Sequence, residues 1–198
     1  ESNKLIIPGL KKLSTQEKIK GTVLFLDQKK DVEIKKLCKK LSNQFIKFIY
    51  KNISKKSLSH ARNIGIKLAK TEIVLFLDSD AIPEKDWAIE LIKGLNSPNT
   101  AIVGSKSSPL WKTSPKWYNK TGPALEVYSI FNPSNNSKEV NRIVGVGFGI
   151  NKKLLGTNSY FNENLGRRPG SLLGGEETEL CNRAREKGLK IYYISSSK

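Results

Sequence analysis

Thr71-Glu-Ile-Val-Leu-Phe-Leu-Asp-Ser-Asp-Ala-Ile-Pro-Glu-Lys-Asp-Trp87 is the stretch around which the chain is organised. Its apolar run, Ile73 to Leu77, is too short for a free-standing helix and apolar at consecutive positions, the pattern of a strand buried inside a parallel sheet. Asp78 and Asp80 follow at the carboxyl end, where open α/β sheets hold their ligands. Pro83 suits the first turn of a helix, and Ala88, Leu91, Ile92 and Leu95 recur behind it at helical spacing. A central strand with an acidic tip results, a place for a metal ion and a nucleotide.

Upstream, Leu5 to Pro8 reads as a first short strand and Gly21 to Leu26 as a second that ends at Asp27. Gly9 to Lys20 between them barely reaches the length a parallel crossover with its helix requires. Asp31 is an N-cap candidate for a helix whose face is Ile34, Leu37, Cys38 and Leu41; Phe45 to Tyr50 is a strand. Leu58 to Lys70 is a helix with Leu58, Ala61, Gly65 and Leu68 inward. Downstream, Ala101 to Gly104 is a strand, and Ser107 to Asn141 is long, irregular and sprinkled with aromatics, as functional loops are. Ile143 to Ile150 alternates glycine with apolar residues, like a strand over which something passes closely. A helix over Glu176 to Lys187 is ended by Gly188, and Leu189 to Ile194 is a last strand. Alternation of strands and helices predicts an α/β fold built on a mostly parallel sheet flanked by helices, in a single domain over 1–198. Residues 1–104, with the acidic strand tip, are expected to form the nucleotide-holding, Rossmann-like half of that domain and 105–198 the remaining half.

The composition is globular, with 37% hydrophobic residues and no apolar run of membrane-spanning length. The sequence holds no methionine, and it is expected to be part of a longer translation product. Cys38 and Cys181 fall on apolar helix faces, as buried free thiols rather than a disulfide or metal pair, and nothing argues for secretion; the expected setting is cytoplasmic. A net charge of +17 favours an anionic partner: nucleotide phosphate, nucleic acid, or an anionic membrane touched peripherally. The lysines are spread in short pairs without a groove-entering element, so nucleic acid is not the expected partner.

Ala61-Arg62-Asn63-Ile64-Gly65, then Phe76-Leu77-Asp78-Ser79-Asp80, then Gly174-Gly175-Glu176-Glu177-Thr178-Glu179-Leu180, in that order, resemble the inverting nucleotide-sugar glycosyltransferases of family 2, which have the GT-A fold. The resemblance runs from about Gly21 to the end. It implies a nucleoside-diphosphate sugar donor, UDP-type, and a divalent cation, Mn2+ or Mg2+, that neutralises the diphosphate. By the same resemblance Asp80 is the metal ligand, with Asp78 on the ribose or a metal-bound water. Asp27 pairs with the base and Arg62 lies beside it. The turn Gln28 to Asp31 departs from the family's acidic one, which leaves the base open. Taken alone, Asp78 and Asp80 can also be read as caps of the turn before Pro83.

In the family, the general base is the Asp of a Glu-Asp pair at a helix start; here the pair is Glu176-Glu177. A helix N-terminus favours an ionised carboxylate, which suits a base, and equally suits ordinary first-turn acids. Glu177 is the candidate base, with Glu176 as its orienting neighbour or an acceptor contact. Arg167 and Arg168, between Gly166 and Gly170, form a basic loop able to close over the diphosphate. Trp111, Trp117 and Tyr118 are candidates to stack on an acceptor sugar or to pack. His60, the only histidine, is incidental. The family's further metal-binding histidine lies a few residues beyond the final strand, and Lys198 is the last residue here. The resemblance implies an acceptor hydroxyl on a glycan, lipid-linked or other acceptor, which the sequence leaves open. Two rival readings stand beside this one: a catalytically silent GT-A-like domain that binds nucleotide or glycan, and, more remotely, a nucleic-acid binder.

Overall fold

The computed structural model describes residues 3–54, 57–111, 113, 115, 118, 128–167, 169–170 and 174–198. Two sheets organise them. Strands β1 (Gly21–Asp27) and β2 (Ile46–Asn52) pair in parallel, and a five-stranded sheet runs β3-β6-β4-β7-β5, with β3 Ile73–Leu77, β4 Thr100–Ser105, β5 Lys138–Glu139, β6 Gly147–Asn151 and β7 Lys190–Ile194. The parallel expectation holds for β1–β2 and β4–β7; β3–β6, β4–β6 and β5–β7 are antiparallel.

β3 forms as expected, but at the end of its sheet, bonded on one side only, to β6. Its apolar pattern has a different cause from the expected one. Val74 and Phe76 pack into a cluster with Phe148, Phe161, Leu180 and Cys181, whereas Ile73, Leu75 and Leu77 pack into another with Trp87, Leu91 and Leu95. Both faces are covered whatever the strand direction.

The expected strand at Leu5 to Pro8 is instead part of helix α1 (Asn3–Ser14), which carries Pro8 inside it. Leu10 follows Ile6 and Ile7 by four and three residues and Leu13 follows Leu10 by three, and all four reach a cluster with Ile34, Cys38, Ile46 and Phe48. A strand would have split them between two faces. This also removes the need for a crossover between Gly9 and Lys20. A Cβ on Gly9 would lie 2.6 Å from the Ala81 carbonyl oxygen, so glycine there lets α1 rest on the backbone just past Asp80.

Helix α2 (Val32–Leu41) is capped as its sequence predicts, Asp31 accepting from the Ile34 N–H at 2.9 Å. Helix α3 (Leu58–Leu68) begins at the Ser57 cap. Its inward residues are Ser59, Arg62, Gly65 and Ile66, a face turned from the expected Leu58, Ala61, Gly65 and Leu68. Leu68 is left exposed because a charged residue, Arg62, has partners inside. Helix α4 (Trp87–Leu95) starts four residues after Pro83, later than expected. Its free Ala88 N–H is met by Gln16 Oε1 at 2.9 Å. Helix α5 (Lys152–Leu155) and the 3-10 turn Gly156–Ser159 lead back under the sheet, and α6 (Glu176–Glu186) buries Leu180, Cys181 and Ala184. The alternating-glycine segment enters β6 only at Gly147; Val146 O instead accepts from the Asp78 N–H at 2.9 Å.

Candidate active site

Arg62 is the centre of the site. Its side chain is 6% exposed, and its guanidinium lies over the rings of Phe148 and Phe161 at 5.2 and 5.4 Å. Such burial is tolerable only with acceptors in place. Nη1 donates to Glu177 Oε1 at 2.7 Å and Glu176 Oε1 at 3.1 Å, and Nη2 donates to Gly145 O at 3.1 Å and Asp78 Oδ1 at 3.5 Å. Three carboxylates from two distant segments therefore meet one cation.

The local chain makes this possible at three points. Gly175 opens α6 at φ +95°, a left-handed conformation that glycine adopts without strain, and turns Glu176 and Glu177 inward. Gly145 has no Cβ, and one placed there would lie 1.8 Å from Glu177 Oε1. Asn63, next to Arg62, accepts from the Phe161 N–H at 2.7 Å and donates to Phe161 O at 3.0 Å, clamping the segment whose ring faces the guanidinium.

One positive charge does not neutralise three acids, and their ionisation shows it. Burial, and then the Glu177 charge, push Glu176 up; its Oε2 is buried without a hydrogen-bond partner. Asp78 is raised to about 6 by burial, with Asp80 and Glu177 adding to the rise and Arg62 opposing it.

Asp78 also faces outward. With Asp80 it lines a cleft of about 550 Å³ whose other walls include Ser105, Lys106, Tyr128, Arg167 and Lys198, a volume that suits a small-molecule ligand. The chain's last residues form part of the rim: Glu84 N–H donates to Lys198 O and Lys106 N–H to Ser197 O, both at 2.8 Å. Arg167 is held at the cleft by its own carbonyl, which accepts from the Leu58 N–H, between Gly166 and Gly170 at φ +90° and +80°. Arg168 and Trp117 lie outside the described residues. Trp111 packs edge-on against Tyr118 at 4.7 Å and Tyr128 at 6.2 Å, so the aromatics support one another behind the cleft wall.

Asp27 stands elsewhere. Its carboxylate accepts from the N–H groups of Lys29 (2.7 Å) and Asp31 (2.6 Å) and from the Tyr50 hydroxyl. Burial pushes it up, but these three donors outweigh burial and hold it below the usual carboxylate range. Asp27 and Arg62 share no hydrogen-bonding partner among the described residues: Arg62 binds Glu176, Glu177, Asp78 and the Gly145 carbonyl, whereas Asp27 accepts from the turn after β1. His60, read as incidental, contacts both oxygens of Glu163 at 3.0 Å. Sequence reasoning missed Gly145, Tyr128, Lys106 and Lys198; only Gly145 carried a signal, the glycine alternation itself.

Among the described residues no group of three or more His, Cys, Asp or Glu is disposed to cage a metal ion. The donor set fits a cation that a ligand helps to hold, since Mg2+ and similar ions take one or two carboxylates and complete their shell with phosphate oxygens and water. Asp78 and Asp80, crowded acids at one cleft wall, are such a pair.

The chain belongs to glycosyl transferase family 2, whose description its residues 2–157 match. No curated protein matches it in sequence. Its fold is that of GT-A glycosyltransferases. It is similar to the mannosyltransferase PcManGT from Pyrobaculum calidifontis, solved with GDP-Man and Mn2+, at TM-score 0.70 and 15% identity over 99% of this chain and 52% of that one. Staphylococcus aureus TarS 1-349 with UDP-GlcNAc gives TM-score 0.66 and 17% identity over 100% of this chain and 56% of that one. GalNAc-T7 with UDP, GalNAc and Mn2+ gives 0.60 and 16% over 89% and 36%. The chain spans about half the length of the first two.

Proposed function

We propose that this domain transfers a sugar, with inversion, from a nucleoside-diphosphate sugar of the UDP type to a hydroxyl of a glycan or lipid-linked acceptor. The observation that carries the reading is the double position of Asp78, which lines the cleft with Asp80 and is also bound by the arginine that holds Glu177. Residues 1–104 supply the donor side: Asp78 and Asp80 hold the cation, and Asp27 meets the base at the tip of β1. From 105–198, Arg167, at the cleft, meets the diphosphate, a role the sequence also offers Arg168, and Glu176 and Glu177 serve the acceptor. Mn2+ or Mg2+, when bound, offsets the charge of the departing diphosphate.

Glu177 takes the proton of the acceptor hydroxyl, whose oxygen forms a bond to the anomeric carbon opposite the diphosphate. The bond from that carbon to the diphosphate oxygen breaks, and the nucleoside diphosphate leaves with the electron pair. Glu176 keeps Glu177 in place through their common donor, Arg62. The surrounding charge of +17 and two buried free thiols support a cytoplasmic enzyme resting on an anionic membrane. No described helix is long and apolar enough to cross one.

A second reading, nucleotide binding without transfer, is favoured by one observation: Glu177 is 15% exposed and already engaged by Arg62. A panel of nucleotide sugars with Mn2+ separates the two. Transfer or hydrolysis that Glu177→Gln abolishes, with nucleotide still bound to within about tenfold of the unmodified affinity, supports the proposal; binding without turnover in the unmodified chain sinks it.

A further inference from the structure

We infer that Arg62 is a positioning residue that couples the donor cleft to the acceptor-side base, because the carboxylates of the two sides compete for its single charge. The inference rests on the nucleotide-sugar reading above. Nη1 is given to Glu177 and Glu176 at 2.7 and 3.1 Å, and Nη2 reaches Asp78 at 3.5 Å, a longer ion pair that yields more readily than the other two. Asp78 lines the cleft; Glu176, Glu177 and Arg62 do not. Whatever happens to Asp78 in the cleft is thus relayed to Glu177 through one buried guanidinium, which Phe148 and Phe161 hold in place.

The direction of the coupling follows from charge. A divalent cation and diphosphate at Asp78 and Asp80 draw Asp78 away from Nη2, leaving the whole guanidinium charge to Glu176 and Glu177. By reciprocity, removing the Glu177 charge lets Arg62 turn its charge to Asp78 and weakens cation-dependent nucleotide binding. Glu177 becomes neutral when it takes the acceptor proton, so the same competition loosens the diphosphate once transfer has occurred. Gly145 O accepts from the same Nη2 at 3.1 Å and anchors the guanidinium beside Asp78.

The test is calorimetric titration of UDP with Mn2+ into the full chain, with Glu177→Gln, Arg62→Lys and the double variant, each checked for folding by thermal melting. Glu177→Gln is expected to weaken UDP binding about fivefold in the presence of Mn2+, the low end of typical couplings. In the Arg62→Lys background, where an ammonium cannot fork between both acids, the same change should move affinity less than about twofold. Equal effects in both backgrounds, or no effect of Glu177→Gln in otherwise unmodified protein, overturn the coupling while leaving the donor site standing. The second of these needs no Arg62 variant. Failure of the unmodified chain to bind UDP with Mn2+ overturns the nucleotide reading and the coupling together.

Discussion

Arg62 Nη1 lies 2.7 Å from Glu177 Oε1, joining the middle of α3 to the start of α6 across 115 residues of sequence. Removing one member of a buried ion cluster strands the rest without compensation. Arg62→Met is therefore expected to cost about 3–5 kcal/mol of folding stability. Urea denaturation at neutral pH checks this. A loss below about 1 kcal/mol would show that water reaches the acids freely.

Gly145→Ala tests the site without touching an ionisable group. Its new Cβ would collide with Glu177 Oε1 at 1.8 Å, so the carboxylate has to move by an ångström or more. Transfer should fall by about a hundredfold, the scale on which such misplacement acts, while UDP affinity falls by no more than about fivefold, the size of the coupling through Arg62. An equal loss of affinity and turnover would count against Glu177 as the base.

Asp78 should leave a mark on both stability and binding as pH changes. Its folded value of about 6 lies above the ordinary carboxyl value of 3.8, so the folded chain binds more protons than the unfolded one between those values. Stability accordingly falls as pH rises from about 4 to 6 on this account, and the penalty persists above that range. Asp78→Asn removes it and should stabilise the nucleotide-free chain at pH 7 by on the order of 1 kcal/mol, after discounting for the solvent that reaches the side chain. Thermal melts from pH 4 to 8 read the difference. Mn2+-dependent UDP binding by the unmodified chain should weaken below about pH 6, as Asp78 takes up its proton.

Asp80 is exposed at the cleft and forms no hydrogen bond with the Arg62 cluster. Asp80→Asn should lower UDP affinity at least tenfold with Mn2+ present and leave cation-free binding nearly unchanged. Chelation with EDTA should reproduce the loss in the unmodified chain. Equal affinities with and without Mn2+ would remove the cation from the proposal.

Much of the framework was legible in the sequence because it rests on local rules. The Asp31 cap, the strand after Glu72, and α6 stopped by Gly188 at φ +71° all follow from neighbours within a few residues. The run Leu5 to Pro8 was not, since a short apolar run ending in proline suits a strand end or a helix, and only the later Leu10 and Leu13 complete the helical stripe. The inward face of α3 was misplaced for a related reason. Hydrophobic periodicity counts Arg62 as a surface residue, and its burial depends on acids more than a hundred residues away. Those acids were marked as candidates, yet their meeting at Arg62 is a tertiary fact that spacing does not encode. The glycine alternation before β6 did announce a close approach, without saying that a carboxylate was the visitor.

The separate pairing of β1 with β2 has a consequence for motion. Their seven-rung ladder closes over its own cluster of Leu10, Ile34, Cys38, Ile46 and Phe48, while Asp78 and Asp80 belong to the five-stranded sheet. The two parts can open by separate local unfolding events, each with its own rhythm of amide exchange. A nucleotide held by Asp27 at one end and by Asp78 and Asp80 at the other would stitch the islands together. Its arrival would then be felt away from the chemistry, as slowed exchange along β1 and β2.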